Sequence, residues 1–168
     1  MENLITKKRR LILVSVLLCF SLLSCYIFTS CKKSNPPYSL MLEFCESYGI
    51  SDTVFSPSLK EWEQGYADEV FFETVFGDNS SSVSDYAIVF LSSLDIVGEC
   101  VIFLCYSDYD ALIACDILRG RVEILKSMGT GMDTSYLDDA AVFKSGRYAV
   151  MCALSDNERA ERIWRKIL

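Results

Sequence analysis

The chain has 168 residues, of which 51% are hydrophobic and 23% are charged, and its formal net charge is −7. This length suits one domain with a single core once an N-terminal segment is set aside. Histidine is absent from the sequence, which excludes Ser-His-Asp and Cys-His catalysis and the usual histidine-containing zinc sites.

The first feature in chain order is a charge-free apolar run, Leu11 to Ser30, which follows the basic stretch KKRR. As a helix this run would cover roughly 30 Å, the hydrocarbon thickness of a bilayer. Four positive charges precede the run and two follow it, so we expect the rest of the chain to be exported. Residues 1–33 are therefore predicted to be a signal peptide or a membrane anchor, with the domain on the extracytoplasmic face of the cell membrane.

Two cysteines in this segment are candidate lipid-attachment sites. Cleavage before Cys25 would use LLSC, which resembles a lipobox, and would leave an apolar centre of suitable length for a signal peptide. Cleavage before Cys31 would use FTSC and would leave the polar stretch KKSNPP as a tether. An uncleaved anchor and simple secretion are the alternatives that the sequence leaves open.

The rest of the chain is acidic, in contrast to the basic segment of residues 1–33. After Lys33 the chain contains 22 acidic and 10 basic residues. A nucleic acid partner is disfavoured, because binding one depends on neutralising phosphates with Lys and Arg. Anionic lipid headgroups would repel the domain for the same reason, so we expect it to stand off the membrane on its tether.

The predicted domain begins after a short proline-containing linker at residues 34–38 and covers residues 39–168. A first helix is expected from Ser39 to Tyr48, closed by Gly49. A second is expected to start at a Ser56 cap with Pro57 in its first turn, because serine followed by proline is typical of helix starts. The run ADEVFFETVFG predicts a third helix that ends at a glycine.

The second half of the chain repeats a strand-strand-helix pattern. DYAIVFLSS, GECVIFLCYS and a long helix from DYDALIACD onward are echoed by DDAAVFKSG, RYAVMCALS and DNERAERIWRKIL. Ser155 and Glu158 form a predicted capping box, with Ser107 and Asp110 as a weaker copy. The long helix has one continuous apolar face, which needs a sheet to cover it. We therefore predict an α+β fold, a two-layer sandwich with a four-stranded antiparallel sheet.

Five cysteines fall within the domain, an odd number, and no CxxC motif is present. Four of them lie in apolar runs, where a thiol behaves as a small buried hydrophobe. The main interpretation is core packing, and one disulfide remains an open alternative. The five are Cys45, Cys100, Cys105, Cys115 and Cys152.

None of the remaining motifs predicts a catalytic, cofactor-binding or metal site. The oxygen-rich turn Asp78–Asp85 lacks the spacing of a calcium loop, and the glycines of residues 129–131 follow a helix instead of preceding one. We interpret the acidic residues before the third strand as part of a loop and the basic stripe on the last helix as a solvated face. The two tryptophans are interpreted as packing residues. The residues of these three groups are Asp138, Asp139, Arg159, Arg162, Arg165, Lys166, Trp62 and Trp164.

Several of these stretches together resemble a known family. They are the helix ending VFG, the strand DYAIVFLSS, the segment SDYDALIACDILRGRVEIL and the C-terminal AVFKSGRYAVMCALSDNERAERIW. From Trp62 to Leu168 the chain is similar to the bacterial lipoprotein family catalogued as domain of unknown function 4358, found in Gram-positive cell envelopes. The resemblance implies an envelope lipoprotein and carries no catalytic residues.

The sequence therefore predicts a membrane-tethered protein without enzymatic activity or cofactor that binds another component of the cell envelope. A module that binds a small molecule or a peptide is the alternative, and an enzyme that uses carboxylates alone comes third. A concave apolar pocket would favour the module, and an exposed apolar patch would favour a protein partner.

Overall fold

A computed structural model describes residues 34–91, 98–129 and 134–168. Residues 35–168 form one compact unit. Its elements, in chain order, are α1 (Pro37–Tyr48), β1 (Val54–Phe55), α2 (Glu69–Phe76), β2 (Val83–Phe90), β3 (Glu99–Cys105), α3 (Asp108–Met128), β4 (Ala141–Ser145), β5 (Tyr148–Ala153) and α4 (Asn157–Ile167), with short 3-10 turns at Ser80–Ser82 and Ser135–Leu137.

The α+β fold class is confirmed, and the predicted strand-strand-helix repeat appears as β2-β3-α3 and β4-β5-α4. The sheet is antiparallel in the order β1-β2-β3-β5-β4. The predicted number of four strands is wrong, because the two-residue strand β1 pairs with β2 through Val54 and Phe55. So short a segment has no alternation long enough to be read from the sequence.

The two-layer prediction is also wrong, because helices cover both faces of the sheet. One face, here called face A, packs against α2 and α3. The opposite face, face B, packs against α1 and α4. The cause lies in the central strands: six of the seven residues of β3 are buried, so both of its faces need cover.

The two repeats send their helices to opposite faces. Two residues separate β3 from α3, whereas three separate β5 from α4. Because an extended chain alternates direction at every residue, the extra residue, Leu154, turns toward face B and is buried there. The extra residue also moves the cap: Asp156 accepts a hydrogen bond from the Arg159 backbone N–H at 2.9 Å, so the predicted Ser155 capping box is wrong.

Two predictions in the first half of the domain are corrected. Helix α1 begins at Pro37, inside the predicted linker, because proline is tolerated in the first helical turn. The helix predicted to start at Ser56 is not formed. The Ser56 backbone N–H donates to the Gly65 carbonyl and its side chain donates to the Tyr86 carbonyl at 2.8 Å, so Ser56 forms a β-bridge beside the sheet edge.

Candidate interaction surface

The predicted lipid-attachment cysteines, Cys25 and Cys31, lie outside the described residues, as does the whole apolar run from Leu11 to Ser30. Within residues 34–91, 98–129 and 134–168, no helix has the length and apolar character needed to cross a membrane.

The surface most at odds with a soluble domain is the outer side of α3. The inner side of this helix is core on face A, with Leu118 completely buried. The outer side carries exposed apolar residues as well, among charged residues such as Asp116 and Glu123: Tyr109 is 70% exposed, Leu112 52% and Met128 62%. We call the outer row the α3 stripe; it consists of Tyr109, Leu112, Ile113, Ile117, Ile124 and Met128.

The α3 stripe extends along most of the helix. From Tyr109 to Met128 its residues follow one another at intervals of three, one, four, seven and four positions, and intervals of three, four and seven keep side chains on one helical face. A helix at a domain surface normally presents polar side chains outward, so a second apolar row is not needed for this fold. Several exposed large apolar residues on one helix are typical of a surface where another molecule binds.

A glycine lies in the middle of the α3 stripe. A Cβ added at Gly120 would meet no atom within 4 Å, so neither packing nor backbone conformation requires glycine here. Glycine within a helix costs about 1 kcal/mol relative to alanine. Gly120 lies in a groove of about 350 Å³ between α2 and α3. The groove is lined by Val75, Phe76 and residues of the stripe, together with the polar residues Asn79, Asp116 and Arg121.

A buried ion pair fixes the floor of this groove. Arg121 Nε lies 2.7 Å from Glu99 Oε1, and Arg121 Nη2 lies 2.9 Å from Glu99 Oε2. Arg121 Nη1 also donates to the Val75 carbonyl at 3.4 Å, at the end of α2. Burial raises the pKa of Glu99, and the hydrogen bonds and charge of Arg121 oppose that rise. The pair joins β3, α2 and α3, so the groove has a rigid base.

A second concavity, of about 710 Å³, lies between β4 and the start of α4 and is lined by acidic residues. Its carboxylates are largely engaged: Asp138 pairs with Lys126 at 3.0 Å, and Asp156 caps α4. On α4, the carboxylates pair with arginines four residues later, as predicted for a solvated face: Glu158 with Arg162 and Glu161 with Arg165. In the described part of the chain, no group of three or more potential metal ligands comes together.

The oxygen-rich turn and the two tryptophans singled out in the sequence do not form a common site in the described residues. In the oxygen-rich turn, Asp85 accepts hydrogen bonds from the Ser58 hydroxyl at 2.9 Å and from the Tyr86 N–H at 2.8 Å, and burial raises its pKa. Trp164 is completely buried and stacks on Phe44, as predicted for packing. Trp62 is 80% exposed, so its prediction as a packing residue is wrong.

The five cysteines of the domain are all buried and free in the structure, which confirms their interpretation as core residues. Burial raises the pKa of Cys45 and of Cys105 to about 12, so neither thiol ionises near neutral pH. In the folded domain these two thiols are therefore poor nucleophiles.

Comparison of the chain with models of protein families, with curated proteins and with solved structures gives no match. The α3 stripe was missed at the sequence level although its signal is present. The inner row of the same helix is apolar as well, and the inner row alone accounts for a helix packed on a sheet. The outer row becomes noticeable only when the position of the sheet is known.

Proposed function

We propose that this protein is a membrane-tethered interaction protein of the bacterial cell envelope, without enzymatic activity, whose extracytoplasmic domain docks a protein partner on the α3 stripe. The observation that carries the proposal is an exposed apolar row on a helix whose opposite side is already buried in the core. An exposed apolar patch is the feature that favours a protein partner over a small ligand.

The tether in this proposal is the N-terminal segment, held by the apolar run itself or by a lipid on Cys25 or Cys31. The charge distribution of the sequence supports it, with basic residues before the apolar run and an acidic domain after it. The resemblance of Trp62 to Leu168 to envelope lipoproteins belongs to the same proposal.

The chemistry of the stripe indicates what the partner presents. The groove between α2 and α3 is apolar along Val75, Phe76 and Ile117, and Gly120 removes the side chain that would hold another backbone away. A helix with an apolar face fits such a groove. Leu112 is 52% exposed and Ile124 47%, so burying the rest of each in the interface would stabilise the complex by about 0.8–1.5 kcal/mol for each side chain.

The alternative is a peptide-binding module that uses the acidic groove. β4 is the last strand of the described sheet on that side, so an extended peptide could add to its edge. The carboxylates around the groove would select a basic peptide. This alternative predicts that salt weakens binding strongly, whereas docking on the α3 stripe is driven by apolar burial.

The test uses the full chain in membranes of the source cells, cross-linked before solubilisation. We expect an adduct larger than the monomer that is lost when Leu112 and Ile124 are both replaced by lysine. The matched control is Val70→Lys, because Val70 is 68% exposed on α2, outside the stripe. If the Leu112→Lys, Ile124→Lys variant gives the same adducts as the Val70→Lys variant, the proposed docking surface is wrong.

The tether is tested separately by intact-mass spectrometry of the protein extracted from its native membrane. A diacylglycerol on an N-terminal cysteine would identify which of Cys25 and Cys31 is used. An unmodified chain beginning at Met1 would refute lipidation, and its recovery in the cytosolic fraction would refute the extracytoplasmic location.

A further inference from the structure

Two of the buried cysteines face each other across the centre of the sheet. In the antiparallel register of β3 and β5, Cys100 lies opposite Cys152. The backbone hydrogen bond from Cys105 N–H to the Arg147 carbonyl shows that these two residues form a hydrogen-bonded pair. Hydrogen-bonded and non-hydrogen-bonded pairs alternate along two antiparallel strands. Cys100 and Cys152 are five positions along from that pair, so they form a non-hydrogen-bonded pair, the type in which opposite side chains are closest.

The measured geometry agrees with this register. The two Sγ atoms are 3.9 Å apart, and both side chains lie on face B. A non-hydrogen-bonded pair has a Cα separation of about 4.5 Å, within the range of about 4.4–6.8 Å found for disulfides. Side-chain rotation would therefore bring the sulfurs into bonding distance with little movement of the strands.

We infer that Cys100 and Cys152 are joined by a cross-strand disulfide when the domain folds in an oxidising compartment. This modification site goes beyond the proposed docking function, because it depends on the sheet and not on the α3 stripe. Of the other domain cysteines, Cys105 and Cys115 lie on face A. Cys45, on α1, packs on face B with the pair, but the strand register places Cys152 and not Cys45 directly opposite Cys100.

The chemistry requires a disulfide-containing oxidant. The thiolate of one cysteine attacks the oxidant and releases one thiol, and the second thiolate then attacks the mixed disulfide and releases the other. One S–S bond forms within the protein and one breaks in the oxidant, so two electrons and two protons pass to the oxidant. The protein loses about 2 Da in this exchange.

The native packing determines when this exchange takes place. Both cysteines are completely buried, and the Trp164 indole N–H donates to Cys100 Sγ at 3.4 Å. Burial, the largest cause, raises the pKa of Cys100, and the neighbouring Cys152 raises it further. Because the thiolate is the reacting form, oxidation belongs to the stage of folding before α4 closes over face B.

The test refolds the full chain, reduced in urea and held in detergent micelles, in a buffer of reduced and oxidised glutathione. Free thiols are then alkylated with iodoacetamide and the protein is digested with chymotrypsin without reduction. Cleavage after Phe103 separates Cys100 from Cys105, so mass spectrometry identifies each linkage. We expect the linked peptides of Cys100 and Cys152 in most molecules.

The kinetic arm exposes the reduced, already folded protein to the same buffer, and we expect the same bond to form at least about tenfold more slowly because the thiols are shielded. The matched control Cys115→Ala removes a buried thiol on face A and should leave the Cys100–Cys152 linkage unchanged. In Cys152→Ala the linkage should disappear and Cys100 should be alkylated.

Recovery of Cys100 and Cys152 in alkylated form from correctly refolded wild-type protein would overturn the inference, as would a dominant bond between any other two cysteines. Circular dichroism reports whether each variant folds. If Cys152→Ala does not fold, the peptide map of the wild-type chain decides the question by itself.

Discussion

Replacing Arg121 with methionine tests whether the base of the candidate groove depends on the buried ion pair. The Arg121 side chain is 12% exposed and the Glu99 side chain 1%. Methionine keeps much of the arginine stem but removes the guanidinium, so the Glu99 carboxylate loses both of its charge-assisted hydrogen bonds. The carboxylate is then left buried without a partner.

Removing one partner of a buried pair costs about 3–5 kcal/mol of unfolding free energy, and near-complete burial of both groups places Arg121→Met in that range. The double variant Glu99→Met, Arg121→Met removes both charges, and we expect it to be at least as stable as the wild type, because apolar replacement of a buried pair is often neutral or stabilising. Arg119→Met is the matched control, since Arg119 is exposed on the same helix; it should cost less than about 1 kcal/mol.

The loss in Arg121→Met should depend on pH. Burial already raises the pKa of Glu99, and removing Arg121 takes away the interactions that lower it. A carboxyl group whose pKa is higher in the folded than in the unfolded state binds more protons when folded, so stability falls as pH rises through the interval between the two values. The penalty should therefore be largest at neutral pH and shrink near pH 4, close to the unfolded pKa of about 4.3.

Urea unfolding of the full chain in micelles, followed by tryptophan fluorescence, measures these differences, because Trp164 is completely buried and becomes solvated on unfolding. The titrations are done at pH 4.5 and at pH 7.5 for the two single variants, the double variant and the wild type. A loss below about 1 kcal/mol for Arg121→Met, or the same loss at both pH values, would refute the reasoning.

Two further predictions concern the backbone. Asp156→Ala should lower the unfolding free energy by about 1 kcal/mol, because Asp156 caps α4, whereas Ser155→Ala should change it by less than about 0.5 kcal/mol; equal losses in urea titrations would contradict the observed cap. Gly65→Ala should cost at least about 2 kcal/mol, because Gly65 has φ +92° and its Cβ would lie 2.2 Å from the Val54 carbonyl oxygen. Gly49→Ala, with φ +93° and open space around its Cβ, should cost less, and thermal unfolding that ranks the two the other way would refute the close approach.

The sequence by itself determined the elements whose periodicity is long and regular. The α+β class, the repeated strand-strand-helix unit and helix α2, which ends at Phe76 before Gly77, were all predicted from local pattern. Local pattern succeeds here because apolar alternation, apolar faces and turn residues act over a few neighbouring positions. The absence of histidine also limited the chemistry before any fold was known.

Tertiary structure decided the features that depend on which residues meet across the chain. Ser56 has the local signature of a helix cap, but hydrogen bonds to Gly65 and Tyr86 hold it in a β-bridge. The two repeats look equivalent along the chain, yet one additional residue before α4 turns that helix to the other face. Propensity is a weak local preference, and pairing and burial outweigh it.

For the candidate surface, too, the sequence shows which residues are apolar and the tertiary structure decides which of them are exposed. The apolar residues of α3 are all visible in the sequence, but a helix with two apolar rows does not indicate which row the core will cover. Placement of the inner row, including Leu118, on face A is what leaves Leu112 and Ile124 exposed. Likewise, no spacing along the chain relates Cys100 to Cys152, because strand register is set by long-range pairing and places them in contact across 52 positions.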